Sequence, residues 1–161
     1  MSPIDPQDEV VDLCRDLIRF ASVNDGTGRG KGEREAAEHV AGQLAEVGLE
    51  PTVLESAPNR TSVVARMEGE DSSRPALLIH AHLDVVPAEP KAWTYDPFAA
   101  EVADGAIWGR GAIDMLDMDA MTLAVVRDRM RSGRKPPRDV VLAFVADEEA
   151  GGVYGAQWLV E

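Results

Sequence analysis

The sequence predicts a three-layer α/β domain. Amphipathic helical stretches alternate with two uninterrupted apolar runs, residues 76–79 and 140–146, and each run is closed by ligand-type side chains. Helices that alternate with buried strands bury their apolar stripes against a sheet, and side chains at the ends of such strands form sites.

The elements follow in order. Val10, Leu13, Leu17 and Phe20 recur at helical spacing and predict an amphipathic helix over 7–20. Residues 21–32 read as a polar, glycine-rich loop. Ala36, Val40, Leu44 and Val47 share one face of a second helix over 33–47, with Gly48 as its stop. Short strands are expected near 52–54 and 62–67, then a turn over 69–74 and the first clearly buried strand over 76–80. Ala103-Asp104-Gly105 reads as a hairpin turn before Ala106-Ile107-Trp108. A third helix is expected over 118–131, a loop with Pro136-Pro137, and a central strand over 140–146. Gly151-Gly152 opens a last helical stretch, and Trp158-Leu159-Val160-Glu161 carries no stop signal, so the chain reads as a truncated polypeptide.

Composition narrows the function classes. At 161 residues the chain has one domain's length and can bury about two-thirds of its unfolded surface. Sixteen basic against 29 acidic residues give a net charge of −13, which argues against nucleic acid and anionic membrane surfaces. Met1 to Glu9 shows no cationic-then-apolar pattern, so no secretory signal is read, and no apolar run is long enough to span a membrane. The single cysteine, Cys14, lies on the apolar stripe of the first helix and reads as a buried, inert thiol. The expected compartment is the cytoplasm.

Three clusters offer chemistry. His80, His82 and Asp84 occupy alternate positions, which on a strand face one way. They suit either a metal-binding His82 with Asp84 on its other ring nitrogen, or two histidines satisfied by hydrogen bonds. Asp114 follows the glycine-flanked Gly109-Arg110-Gly111 and can bridge two cations or cap the third helix. Asp147-Glu148-Glu149 ends the central strand; one glutamate can ligate while the other acts as a base, or the acids can open a helix.

Other features read as ordinary. Residues 26–32 lack P-loop spacing, and Asp114, Asp117 and Asp119 lack the rest of a calcium loop, leaving Asp117 and Asp119 as polar positions of a helix start. His39 reads as a surface or boundary residue. Trp93, Tyr95, Phe98 and Trp108 suit a substrate cleft or an aromatic loop packed over the sheet edge.

The ordered motifs His80-Ala81-His82-Leu83-Asp84-Val85-Val86-Pro87, Gly109-Arg110-Gly111-Ala112-Ile113-Asp114-Met115 and Asp147-Glu148-Glu149-Ala150-Gly151-Gly152 resemble the dinuclear zinc peptidases and deacylases. That family includes aminoacylase, acetylornithine deacetylase, succinyl-diaminopimelate desuccinylase and glutamate-releasing carboxypeptidases. The similarity runs from about Val10 to the end. It implies a mixed, largely parallel sheet of the zinc-exopeptidase kind, incomplete here, with residues 1–161 as the N-terminal part of the catalytic domain. The lid or dimerisation domain and the C-terminal half of the catalytic domain would be absent.

The resemblance also implies roles. His82 would bind one zinc, Asp114 would bridge both, Glu149 would bind the other, Glu148 would be the general base and Asp84 would orient His82. The Asp114–Met115 peptide would be cis. The substrate would be a small peptide or an N-acyl amino acid, with cobalt or manganese as alternative metals, and the full-length protein could form a homodimer. Leu116-Asp117 departs from the Lys-Gly of many members, so substrate preference does not transfer. Further ligands that the family uses do not fall within the chain, which alone is expected to bind zinc weakly and be inactive or nearly so. It is also expected to expose sheet surface that the rest of the domain covers. A barrel-type amidohydrolase would need further histidines after His82, and none follows. A catalytically incompetent relative with an interaction role, or none, is the alternative.

Overall fold

Asp5 starts the first helix in the computed structural model, which describes residues 5–161. Part of the Met1–Glu9 stretch read for a signal therefore lies outside the described residues. The Asp5 carboxylate accepts the Gln7 N–H at 2.9 Å, Pro6 takes the first turn, and Asp8 and Glu9 face the positive end of α1 (Pro6–Arg19). Its buried residues are Leu13, Cys14, Leu17 and Ile18. Helix α2 (Arg34–Ala45) buries a stripe of small residues, Ala36, Ala37, Val40 and Ala41, with Leu44. These let it approach the sheet closely.

Strands β1 (Thr52–Ala57) and β2 (Arg60–Met67) are longer than their apolar content predicts, because the two-residue turn at 58–59 couples them as a hairpin. β3 (Leu77–His82) runs two residues beyond the expected end and includes His82. β4 (Glu101–Ala103) and β5 (Ala106–Trp108) form the expected hairpin, with Asp104 and Gly105 at φ 52° and 75° as a two-residue turn of this hand requires. Helix α3 (Leu116–Arg131) and strand β6 (Val140–Val145) follow. The final stretch is wide, irregular turns over Val153–Gln157 and one helical turn, Trp158–Val160.

The main sheet is mixed, in the order β1-β2-β6-β3. Two of its pairings are antiparallel, forced by the β1–β2 hairpin and the direction of β6, while β3 and β6 are parallel. The parallel pair positions the site. Its register runs from Leu77 opposite Val140 to His82 opposite Val145, so both strands end at the same level.

Val63, Ala65 and Met67 of β2, Val140, Leu142 and Phe144 of β6, and Ala81 of β3 share one face and pack with α1, α2 and α3 in a single core. The described residues thus form two of the three expected layers. On the opposite face Leu78 is 60% exposed. At the bundle's outer edge the buried Arg127 of α3 reaches Glu9 at 2.6 Å, the Gln43 carbonyl at 2.5 Å and Glu46 at 3.1 Å, tying three helices together. No helix of the described residues is long and apolar enough to cross a membrane.

Candidate metal centre

The even register of β3 and β6 brings the His82–Asp84 segment beside the Asp147–Glu149 turn. The Leu83 N–H donates to the Val145 carbonyl at 2.9 Å, continuing the pairing past the strand end. Strand carboxyl ends in α/β sheets are where sites form.

His82 is buried. Its Nδ1 lies 3.0 Å from the Asp84 carbonyl oxygen and 3.5 Å from the Asp84 carboxylate. With its proton on Nδ1, the ring offers the Nε2 lone pair outward. Nε2 faces Asp114 Oδ1 at 3.3 Å and Glu148 Oε2 at 3.7 Å. Burial opposes charge on the ring, but the hydrogen bond and charge of Asp84, joined by Glu148, outweigh it and lift the pKa to about 9.

Asp84 is fully buried and saturated. One oxygen accepts the Glu148 N–H at 3.1 Å; the other accepts the Glu149 N–H at 3.0 Å and the Asn24 side-chain amide at 2.9 Å. Burial raises its pKa, yet these donors together with His82 hold it below the ordinary aspartate value. The Glu149 carboxyl is pushed up, first by burial and then by the charges of Asp114, Asp84 and Glu148.

Asp114 stands on the approach to α3. The first turn of that helix has no side-chain cap, so Asp114 does not serve there, and its side chain is 78% exposed toward His82. The Asp114–Met115 peptide is cis. Gly111, at φ 84°, leaves room that a Cβ would fill against Leu116 and Val85 side-chain atoms, each 2.7 Å away. His82, Asp114 and Glu149 each place a ligand atom within 4.8 Å of the others. One imidazole nitrogen among crowded carboxylates is a donor set that suits a divalent cation.

Several expectations meet a different outcome. His80 is exposed on strand β3 and stands apart from the ligand group. Asp84 lies past the end of β3, and His82 Nδ1 meets its backbone carbonyl more closely than its carboxylate. Asp119 is not a polar surface position of the helix start: it is fully buried, both carboxylate oxygens lack partners among the described residues, and burial drives its pKa well above the ordinary value. Burial, with Asp117 and Asp119 adding, pushes the Cys14 thiol up to about 11, which keeps it inert. In the aromatic loop Tyr95 sits edge-on to Trp108 with centroids 5.2 Å apart, and Arg110 lies over Trp93. Sequence reasoning missed Asn24, Glu33 and Arg60, which sit in a loop, before a helix and on a strand with no shared spacing.

The fold is of the α/β class, and this cluster has ligand-type side chains that could hold a metal ion. The model of peptidase family M20/M25/M40 matches residues 78–161, and the chain belongs to that family. Aminoacylase-1 of Mus musculus is 34% identical over 164 aligned residues, which cover all of this chain and 39% of that protein. Human carnosine dipeptidase 1 matches in structure with a TM-score of 0.78 at 23% identity, covering 96% of this chain and 35% of that one. A dinuclear metal binding peptidase of the M20 family from Bacillus subtilis matches with a TM-score of 0.66 at 21% identity, over 96% of this chain and 39% of that one. The chain therefore spans well under half the length of these relatives.

Proposed function

We propose that the chain carries the N-terminal part of the catalytic domain of a metal-dependent hydrolase that cleaves an amide bond of a small peptide or an N-acyl amino acid. The observation that carries this reading is His82, with Nδ1 tied to Asp84 and Nε2 turned toward Asp114 and Glu148. Family membership and the 39% of aminoacylase-1 that the chain covers support the reaction class and the extent. In this reading His82, Asp114 and Glu149 would hold two zinc ions, with Asp114 as the shared ligand; cobalt or manganese would suit the same donors. Bound divalent ions supply the positive charge that polarises the amide carbonyl and acidifies water.

The rest of the chemistry falls to this chain's own groups. Glu148, half exposed beside His82 Nε2, takes the proton of the attacking water and hands it to the leaving amine. Asp84 holds the His82 ring in one tautomer and, through the N–H groups of Glu148 and Glu149, fixes the turn from which both glutamates project. A lid or dimerisation domain and the remaining catalytic half belong to the whole enzyme in this reading, as does a homodimer. A cytoplasmic location fits the single buried cysteine.

One observation favours inactivity of this chain by itself. Among the described residues one group of three potential ligands is found, so two ions would each have two protein ligands with one shared, where three per catalytic zinc is usual. A calorimetric zinc titration of the chain beside His82→Ala tests both statements. Weak binding that His82→Ala abolishes is expected. Two tight sites in the unaltered chain would overturn its incompleteness, and equal binding by His82→Ala would overturn the role of His82.

A further inference from the structure

Behind the metal centre lies a buried polar chain that begins at Asn24. Its backbone is fixed first: Val23 pairs in parallel with Val85, the Asn24 N–H donates to the Val85 carbonyl at 2.9 Å, and the Val85 N–H donates to the Ser22 carbonyl at 3.1 Å. The Ser22 hydroxyl adds a bond to the Leu83 carbonyl at 2.6 Å. Residues 22–24 thus run alongside 83–85, and Asn24 is 2% exposed beside Asp84.

Every hydrogen-bonding position of the Asn24 side chain is used. Its amide nitrogen donates to Asp84 Oδ2 at 2.9 Å and to Asp147 Oδ1 at 3.1 Å. Its oxygen accepts the Gly26 N–H at 3.1 Å and Arg60 Nη2 at 2.7 Å. The amide can sit only this way round, because reversal would aim its oxygen at two carboxylates. Arg60 is held in turn: Nη1 reaches the fully buried Glu33 at 2.6 Å, and Nε lies 3.7 Å from Asp147. The planar guanidinium serves Glu33 and Asn24 with separate nitrogens, which a lysine ammonium on a flexible stem does not reproduce.

The two carboxylates that Asn24 joins have specific places. Asp84 grips the His82 ring and the Glu148 and Glu149 N–H groups; Asp147 accepts the Tyr154 N–H at 3.0 Å and closes the turn from its other end. We propose that Asn24, braced by Arg60 and Glu33, is a positioning residue for the metal centre: its amide locks Asp84 and Asp147 together and so fixes His82 and the two glutamates in the geometry that takes a metal. This rests on the metal-hydrolase reading above. A general packing role would weaken the whole fold alike, whereas the hydrogen bonds here lead to the two glutamate amides and the ligand ring.

The test uses Asn24→Ala and the isosteric Asn24→Asp, which keeps the shape and the bond to Arg60 but loses both donated bonds to the carboxylates. Amide hydrogen exchange of the metal-free chain is followed at Glu148 and Glu149, with Val63 and Leu142 as core references, and zinc affinity is measured by calorimetry. The expected result is exchange about 10-fold or more faster at Glu148 and Glu149 with the core amides unchanged, and zinc affinity lowered about 10–100-fold. If Asn24→Ala does not fold, Asn24→Asp decides. Wild-type exchange at both glutamates, uniform loss of protection throughout, or zinc binding equal to wild type would each overturn the role of Asn24. No zinc binding by the wild-type chain would instead sink the metal-centre reading on which it rests, and the exchange pattern would still tell the two failures apart.

Discussion

His82 and Asp84 are two positions apart in sequence, yet they meet ring to backbone, with Nδ1 3.0 Å from the Asp84 carbonyl oxygen and 3.5 Å from its carboxylate. The strand ends at His82, and Asp84 follows in the segment that runs alongside residues 22–24. One carboxylate thereby stands beside the His82 ring and accepts the backbone N–H groups of two further acids.

Asp84→Asn tests that double hold. The amide keeps the shape but loses the charge and can direct only one oxygen at the two glutamate N–H groups, so zinc affinity should fall about 10–100-fold. Calorimetry on the variant checks this; unchanged affinity would show that Asp84 does not govern the ligands.

Glu148→Gln separates metal binding from proton transfer. In a full-length enzyme that contains this sequence, the variant should retain metal by elemental analysis and lose about 10²–10⁴-fold in kcat, the range for a general base. A variant with wild-type turnover would remove Glu148 from the reaction.

Glu33 gives a pH signature. Burial, against the lowering influence of Arg60, raises its carboxyl from an ordinary 4.5 to about 7. The folded state then holds a proton that the unfolded state has released, so this group's contribution to stability is fully present below about pH 4.5 and declines as pH rises to about 7. Relative to Glu33→Gln, the wild-type chain should lose up to about 3 kcal/mol across that window. Urea unfolding at several pH values measures the difference, and parallel curves for the two proteins would contradict the shift.

Arg127→Ala should destabilise the fold by about 1–3 kcal/mol, because it leaves the Gln43 carbonyl without its donor and removes one of the two guanidinium groups on Glu9, which keeps Arg131. A urea midpoint within error of wild type would show that the three helices do not depend on this group.

The uncovered edge of the sheet predicts association. Leu77 and Leu78 are 49% and 60% exposed on opposite faces of β3, an edge strand, and Val125 of α3, on the helix side, is 62% exposed. Light scattering should show concentration-dependent self-association of the chain that Leu78→Lys reduces. A wild-type chain that stays monomeric at high concentration would refute this.

The sequence by itself determined the types of the main helices and strands and the hairpin at Asp104-Gly105, though the last helical stretch came out as irregular turns, and its family resemblance pointed to the group His82, Asp114 and Glu149 that the fold brings within 4.8 Å. These were legible because helical and strand periodicity, turn residues and short motifs are encoded locally. Strand direction was less so: the β1–β2 hairpin and the antiparallel seat of β6 on β2 depend on how the chain returns to the sheet. The burial of Asp119 and the chain from Glu33 through Arg60 and Asn24 to Asp84 were decided only by tertiary structure. Those residues lie in separate elements with no common period, and a polar side chain gives no local sign of burial. What selects them is the need of buried carboxylates for partners, which exists only once the strands and loops have met.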